Sequence, residues 1–248
     1  MELEGKSILI TGAGSGFGEE MARLFAANGA KIVVADLNGD AAKRVALELG
    51  NQAVACQGDV SSSHDVKSMI DSATGSFGSL DIVVNNAGTT HRRQPLLDVE
   101  EDEFDKVFAV NVKSIFLSAK HAVPLFRQQG HGVFLNIAST AAVRPRPGLV
   151  WYNGSKSAVV GLTKSMAVEL ASDNIRVNAL NPVAGETPLL KEFMGEDTPE
   201  IREQFKSVIP LGRFSEPRDI AEAALYLCSD RANFITGVCM EVDGGRCI

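Results

Sequence analysis

Tyr152 and Lys156 stand four residues apart at the head of a helical pattern that runs on to Ala171, in a sequence of 248 residues. That spacing brings both side chains to one helix face, about one turn apart. A phenol beside an ammonium is a candidate acid–base group. To act as a base near neutral pH, a tyrosine must lose roughly 3 units from its ordinary pKa of about 10, about 4 kcal/mol of preferential stabilisation. A close ammonium together with a second positive group could supply much of that in a water-poor cleft. Ser139 follows the β-branched run Val133 to Ile137, which places its hydroxyl at the carboxyl edge of a sheet, where it could hold a substrate oxygen. Taken alone, a Tyr-x-x-x-Lys pair is a common helix-surface pattern. Its weight comes from keeping company with a strand-end serine and a glycine-rich loop.

That loop is Thr11-Gly12-Ala13-Gly14-Ser15-Gly16-Phe17-Gly18, set between the apolar run Ser7 to Ile10 and a helical pattern from Phe17 to Ala27. Glycines there let the backbone turn tightly and approach a pyrophosphate, whose charge the helix N-terminus stabilises. The position, more than the glycines, favours a dinucleotide over a plain tight turn. Asp36 closes the next apolar run, roughly 20 residues further on, where a carboxylate can accept from both hydroxyls of a ribose. The same charge repels a 2′-phosphate, and no Lys or Arg stands at Ser15 or Leu37 to neutralise one. NAD is therefore expected over NADP. Asn38 or Asp40 can cap the following helix, which leaves Asp36 free.

Positioning these groups takes an alternation of strands and helices. Apolar runs at Ser7 to Ile10, Lys31 to Ala35, Ala53 to Cys56, Asp81 to Val84, Val133 to Ile137, Ile175 to Leu180 and Cys239 to Val242 read as strands buried on both faces. Helical patterns lie between them near Phe17 to Ala27, Gly39 to Leu49, Asp65 to Thr74, Glu101 to Phe126, Ser155 to Ala171 and Pro217 to Cys228. Ser63 and Ser215 read as helix caps. The rhythm predicts one α/β domain over residues 1–248, a doubly wound parallel sheet of about seven strands with helices on both faces. Asn181 to Ile209 is too long and irregular for an ordinary connection and is expected to serve as a substrate lid around 183–210.

Composition narrows the partners. A net charge of −7 argues against a nucleic-acid binder. No apolar stretch approaches 18 residues and the first residues do not resemble a signal peptide, so a cytoplasmic protein off the membrane is expected. Cys56, Cys228, Cys239 and Cys247 form no Cys-x-x-Cys pair, which suits reduced thiols better than disulfides or zinc. His64, His121 and His131 are too dispersed for a metal site.

Together these motifs resemble the short-chain dehydrogenase/reductase family, in its single-domain branch, along essentially the whole chain through Val242-Asp243-Gly244-Gly245. The nearest likenesses are members labelled 3-oxoacyl-carrier-protein reductase or glucose 1-dehydrogenase. The resemblance implies a Rossmann fold in which Gly12, Ser15, Gly16, Phe17 and Gly18 cradle the pyrophosphate and Asp36 and Leu37 meet the adenosine ribose. Asp59 and Val60 would border adenine, Asn86, Ala87 and Gly88 would steady sheet and cofactor, and Pro182 and Thr187 would lie at the nicotinamide. It also implies a catalytic group of Asn111, Ser139, Tyr152 and Lys156. In that scheme Tyr152 exchanges the hydroxyl proton while hydride moves to or from nicotinamide, and Ser139 orients the oxygen. Lys156 lowers the pKa of Tyr152 and binds the nicotinamide ribose, and the Asn111 carbonyl holds a relay water. Helix-paired dimers assembling into a homotetramer are implied as well, with Arg246-Cys247-Ile248 near a subunit contact.

The implied activity is NAD-dependent interconversion of a secondary alcohol and a carbonyl on a polyol, sugar, hydroxy acid or 3-oxoacyl substrate. Two other readings stay open. An NAD-retaining epimerase or dehydratase would be expected to carry a longer C-terminal domain. A non-catalytic dinucleotide sensor would be expected to have lost Tyr152, Lys156 or Ser139. One departure stands out: where the family writes Pro-Gly, this chain has Pro182-Val183-Ala184-Gly185-Glu186-Thr187. Should that position need positive φ, Val183 would be strained. For the substrate, His91, Arg92, Arg144 and Arg146 fall at the expected cleft rim and favour an anion such as a carboxylate, a phosphate or an acyl-carrier thioester. Solvated surface arginines are the plain alternative.

Overall fold

Seven parallel strands form one sheet in the order β3-β2-β1-β4-β5-β6-β7 in a computed structural model that describes residues 1–248. The strands are β1 (Ser7–Thr11), β2 (Lys31–Asp36), β3 (Ala53–Gln57), β4 (Ile82–Asn85), β5 (Gly132–Ile137), β6 (Ile175–Pro182) and β7 (Cys239–Val242). The helices are α1 (Gly16–Ala27), α2 (Gly39–Leu49), α3 (Ser63–Phe77), α4 (Glu101–Phe108), α5 (Ser114–Gln129), α6 (Val150–Leu170), α7 (Leu190–Met194), α8 (Pro199–Lys206) and α9 (Pro217–Cys228). Alternate residues of a strand face opposite ways, and β1 shows the consequence. Ile8 and Ile10 pack with Met21 and Phe25 of α1 and with Ile220 and Leu225 of α9. Leu9 packs on the other face with Met69 and Ile70 of α3, Leu117 and Phe126 of α5 and Leu170 of α6. Strand order reverses between β1 and β4, the place in open α/β sheets where a crevice opens at the carboxyl ends of the strands.

Four local expectations are corrected. The pattern from Glu101 to Phe126 is two helices joined by a π-helical segment, Ala109–Lys113; periodicity alone cannot show one inserted residue. The cap of α3 is Ser62, whose hydroxyl accepts from Asp65 N at 3.3 Å, while Ser63 Oγ lies 3.0 Å from His121 Nε2. The cap of α9 is Glu216, in a reciprocal box with Asp219, and Ser215 is buried, with a hydroxyl 3.4 Å from Val183 O. Asp81 stands outside β4 and takes Ser7 N and His131 Nε2, each at 2.8 Å.

Between β6 and α9 the chain builds a small apolar cluster of its own from Val183, Leu190, Met194, Phe205, Ile209 and Phe214. Val183 is buried here and is not among the positive-φ residues; Asn174 is the only non-glycine residue there. The expected strain is absent. Glycine is needed two residues on, where a Cβ on Gly185 would fall 2.5 Å from the Phe17 ring.

Candidate active site

The crevice at the switch point is a cleft of about 530 Å³ lined from the ends of the central strands. Its cofactor-side wall starts at the glycine loop. Gly12 has φ of +63°, and a Cβ there would fall 2.9 Å from Ala87 Cα. A Cβ on Gly18 would fall 2.2 Å from Gly12 O, so α1 can close on the loop only with glycine at that position. Ser15 precedes α1 in extended conformation and its side chain makes no cap bond, which leaves first-turn N–H groups for an anion.

Asp36 lines the same wall. Its Oδ2 accepts from Gly14 N and its Oδ1 from Asn38 N, each at 2.9 Å. These bonds fix the carboxylate and leave lone pairs for further donors. Asn38 caps α2, accepting from Asp40 N and Ala41 N, so the cap does not draw on Asp36. Asp59 is turned toward Ser61, whose N–H and hydroxyl both reach its Oδ1 at 2.8 Å. Asn86 laces β4 to the loop, donating to Thr11 O at 2.8 Å and Gly12 O at 3.1 Å.

Tyr152 and Lys156 enter from the first turns of α6, which starts at Val150. Both are buried and both line the cleft with Ser139. Lys156 Nζ donates to Ile137 O at 2.8 Å and lies 5.9 Å from the centre of the Tyr152 ring. Burial pushes the lysine down to about 8. Burial likewise pushes the phenol up to about 12, with the Ser139 hydroxyl and the Arg146 charge pulling the other way. Desolvation sets the balance at Tyr152 here, and the Lys156 ammonium is engaged by the Ile137 carbonyl. Ser139 Oγ accepts from Ala141 N at 3.1 Å.

Asn111 is buried in the π segment behind these groups. Its amide donates to Thr89 O at 2.9 Å and Ser155 Oγ at 3.0 Å, and its Oδ1 accepts from Thr89 N at 2.9 Å. Gly88 fills the junction: a Cβ there would fall 3.3 Å from Lys156 Nζ and 3.5 Å from Asn111 Oδ1.

The structure gathers Gly12, Ser15, Gly16, Phe17, Asp36, Leu37, Asp59, Val60, Asn86, Ala87, Gly88, Ser139, Tyr152, Lys156, Pro182 and Thr187 along this one cleft. Gly18 and Asn111 stand behind it. Of the four expected substrate groups, only Arg146 lines it. Arg144 turns outward and donates to Arg246 O at 2.6 Å. His91 is buried, with Nδ1 2.8 Å from Arg92 O and Nε2 unpartnered. Arg92 borders a separate hollow with Lys191, Glu192 and Gly195. Leu149, Phe193 and Phe205 line the substrate end of the main cleft, and Phe193 meets the Tyr152 ring edge-on at 5.1 Å. No sequence signal marked them, since apolar residues in an irregular segment read first as packing.

A parallel sheet with this switch point, a glycine cradle and a Ser–Tyr–Lys group lining one cleft define a dinucleotide-dependent oxidoreductase. A family model described as enoyl-(acyl carrier protein) reductase matches residues 12–246, and the chain belongs to the short-chain dehydrogenase/reductase family, oxidoreductases acting on CH–OH and carbonyl groups. It is 53% identical to 4-formylbenzenesulfonate dehydrogenase of Comamonas testosteroni, over 99% of each chain. It is 39% identical to 7alpha-hydroxysteroid dehydrogenase of Escherichia coli K12, over 99% of this chain and 95% of that one. The crystal structure of 3-ketoacyl-(acyl-carrier-protein) reductase from Brucella melitensis complexed with NADH superposes with a TM-score of 0.95 at 50% identity, covering 99% of this chain and 100% of that chain.

Proposed function

We propose that this chain uses NAD, rather than NADP, to interconvert a secondary alcohol and a carbonyl compound, with Tyr152 as the proton-exchanging group. The observation that carries this reading is the shared cleft: the glycine cradle and Asp36 lie at one end, and the Ser139–Tyr152–Lys156 group lies at the other. The residues fit a dinucleotide. Gly12 and Gly18 leave room where a Cβ would collide, the N-terminus of α1 is free for a pyrophosphate, and Asp36 offers acceptors to ribose hydroxyls while repelling a 2′-phosphate. When bound, the dinucleotide supplies or accepts the hydride.

The chain's own groups do the rest. Tyr152 gives its proton to the nascent alkoxide in reduction and takes the hydroxyl proton in oxidation. Ser139 holds the substrate oxygen, Lys156 stabilises the phenolate and binds ribose, and the π segment around Asn111 holds the relay that returns the proton to water. The segment 183–210 closes over the substrate, which is anionic in this reading. The sulfonate in the name of the Comamonas relative supports that charge. The single sheet supports one domain. Four free thiols support a cytoplasmic setting, and no helix is long and apolar enough to cross a membrane.

The test is a rate panel at 340 nm, in which polyols, sugars, hydroxy acids and aryl or acyl ketones are each offered with NAD(H) and NADP(H). NAD(H) should be preferred at least tenfold, and Tyr152→Phe should lower kcat/KM about 10³-fold while leaving NADH binding intact. Preference for NADP(H) refutes the role given to Asp36, and an undiminished Tyr152→Phe refutes the mechanism.

A further inference from the structure

Positive charge gathers around Arg146 at the substrate end of the cleft: Arg246 and Arg93 both lie close enough to lower its pKa, after the larger effect of burial, and no acid offsets them there. Arg146 lines that end and stacks its guanidinium 4.4 Å from the centre of the Phe205 ring. Stacking fixes the plane of the guanidinium but satisfies none of its N–H donors, and its Nη2 is buried with no hydrogen-bond partner. The charged groups near enough to shift it are Arg246 and Arg93, both cations, and the Tyr152 phenol; no carboxylate is among them. Arg246 repeats the pattern. It is buried, and its Nε and Nη1 are unpartnered. Asp243, the nearest acid to it, is taken up by Gly245 N at 2.9 Å and Cys247 N at 2.8 Å.

Elsewhere on the molecule arginines find acids. Arg44 meets Glu19 and Glu48, Arg202 meets Glu186 and Asp197, Arg213 meets Asp219, and Arg218 meets Glu20 and Glu222. Leaving buried guanidinium nitrogens of Arg146 and Arg246 without hydrogen-bond partners is unfavourable unless a ligand completes them. Glu192 also lines the cleft, but it is exposed and forms no ion pair with either arginine. The position of Arg246 is itself secured: Arg144 donates to its carbonyl at 2.6 Å and reaches Ile248 O.

We propose that Arg146 and Arg246 form an anion receptor at the far end of the substrate cleft, so that the enzyme selects substrates whose apolar body, lying against Leu149, Phe193 and Phe205, carries a carboxylate-like oxyanion remote from the reacting carbon. This deepens, and rests on, the alcohol–carbonyl reading above. A planar guanidinium presents paired N–H donors that match the two oxygens of such a group. Arg146 is the specificity-determining side chain and Arg246 the supporting charge, delivered by the segment after β7 and held by Arg144. Arg144 thereby acts as a positioning residue, in place of the direct substrate contact its sequence position suggested.

The experiment compares 1-phenylethanol with its 4-carboxylate, both with NAD, for the wild type, Arg146→Met, Arg146→Lys and Arg246→Met, with melting temperatures confirming that each variant folds. The wild type should show a KM for the carboxylate at least tenfold below that for the neutral alcohol. Arg146→Met should raise KM for the carboxylate at least tenfold more than for the neutral alcohol, and Arg146→Lys should recover part of that difference. Equal KM values in the wild type, or parallel changes for both alcohols in Arg146→Met, would overturn the receptor and leave the alcohol–carbonyl reading intact. If neither alcohol turns over, that reading is in question for these substrates, and the receptor is judged on its own by benzoate titrated into the protein. Benzoate binding that weakens at least tenfold in Arg146→Met supports it; binding unaffected by the substitution, or no binding at all, overturns it.

Discussion

Lys156 shows how a single buried side chain trades stability against chemistry. Its ammonium lies inside the protein, held by one carbonyl at 2.8 Å, and burial lowers its pKa from 10.5 to about 8. Because the unfolded chain holds this proton more tightly, wild-type stability rises with pH between about 8 and 10.5, and below that window the buried charge is a penalty. The penalty is about 3 kcal/mol at most, and losing the bond to Ile137 returns about 1 kcal/mol. Lys156→Met should therefore be about 1–2 kcal/mol more stable than wild type at pH 7 in denaturant unfolding, with the gain shrinking by pH 10 and turnover largely lost. A variant destabilised at pH 7 would contradict the burial argument. The neighbouring phenol implies a directional pH profile. Tyr152, raised to about 12 by burial, is protonated at neutral pH and ready to donate, so kcat/KM for carbonyl reduction should be flat through neutrality and fall in alkali. Alcohol oxidation should rise about tenfold per pH unit until the coupled pair titrates. Initial rates in both directions from pH 6 to 10 check this, and an oxidation rate that falls as pH rises through 7–9 would refute it.

Among the elements, those with strong periodicity were legible and those set by a single inserted residue were not. Each of the seven apolar runs corresponds to a strand, shifted by at most two residues, because a buried parallel strand is a continuous apolar run whatever packs on it. The glycine loop, Asp36, Ser139 and the Tyr152–Lys156 pair were legible for a related reason: each is tied to a strand end or a helix start. The π segment Ala109–Lys113 was not, since one extra residue leaves hydrophobic spacing nearly unchanged. Nor were Phe193 and Phe205, whose place in the cleft depends on how the irregular segment folds back. Val183 tests that segment. The sequence raised the prospect of a strained valine, and the structure shows a buried one at ordinary φ, packed among Leu190, Phe205 and Phe214. Val183→Gly should then lose packing and gain unfolded-state freedom, costing about 2–3 kcal/mol in unfolding experiments. A stabilised Val183→Gly would restore the idea of strain.

At the scale of the whole molecule, the sheet divides the labour. Strands β1 to β3 and their helices build the cofactor wall, while the ends of β5 and β6, α6 and the irregular segment build the substrate end. Phe116 on α5 is 58% exposed and Val168 on α6 is 83% exposed, although both helices bury Leu117, Phe126 and Leu170 inward. Single exposed apolar residues are ordinary. On two helices of the same face they would suit a self-complementary contact between copies of this chain, as a twofold dimer requires, in line with the homotetramer that the family resemblance implies. Sedimentation velocity at micromolar concentration should then give a species near four times 26.4 kDa. Phe116→Glu combined with Val168→Glu should halve that mass by placing like charges across the helix-paired contact, and should leave the melting of each subunit's core little changed, since neither side chain is buried in the monomer. A wild type that sediments as a monomer at full activity would discard the assembly. A tetramer indifferent to both substitutions would keep the assembly and move its contact to another face.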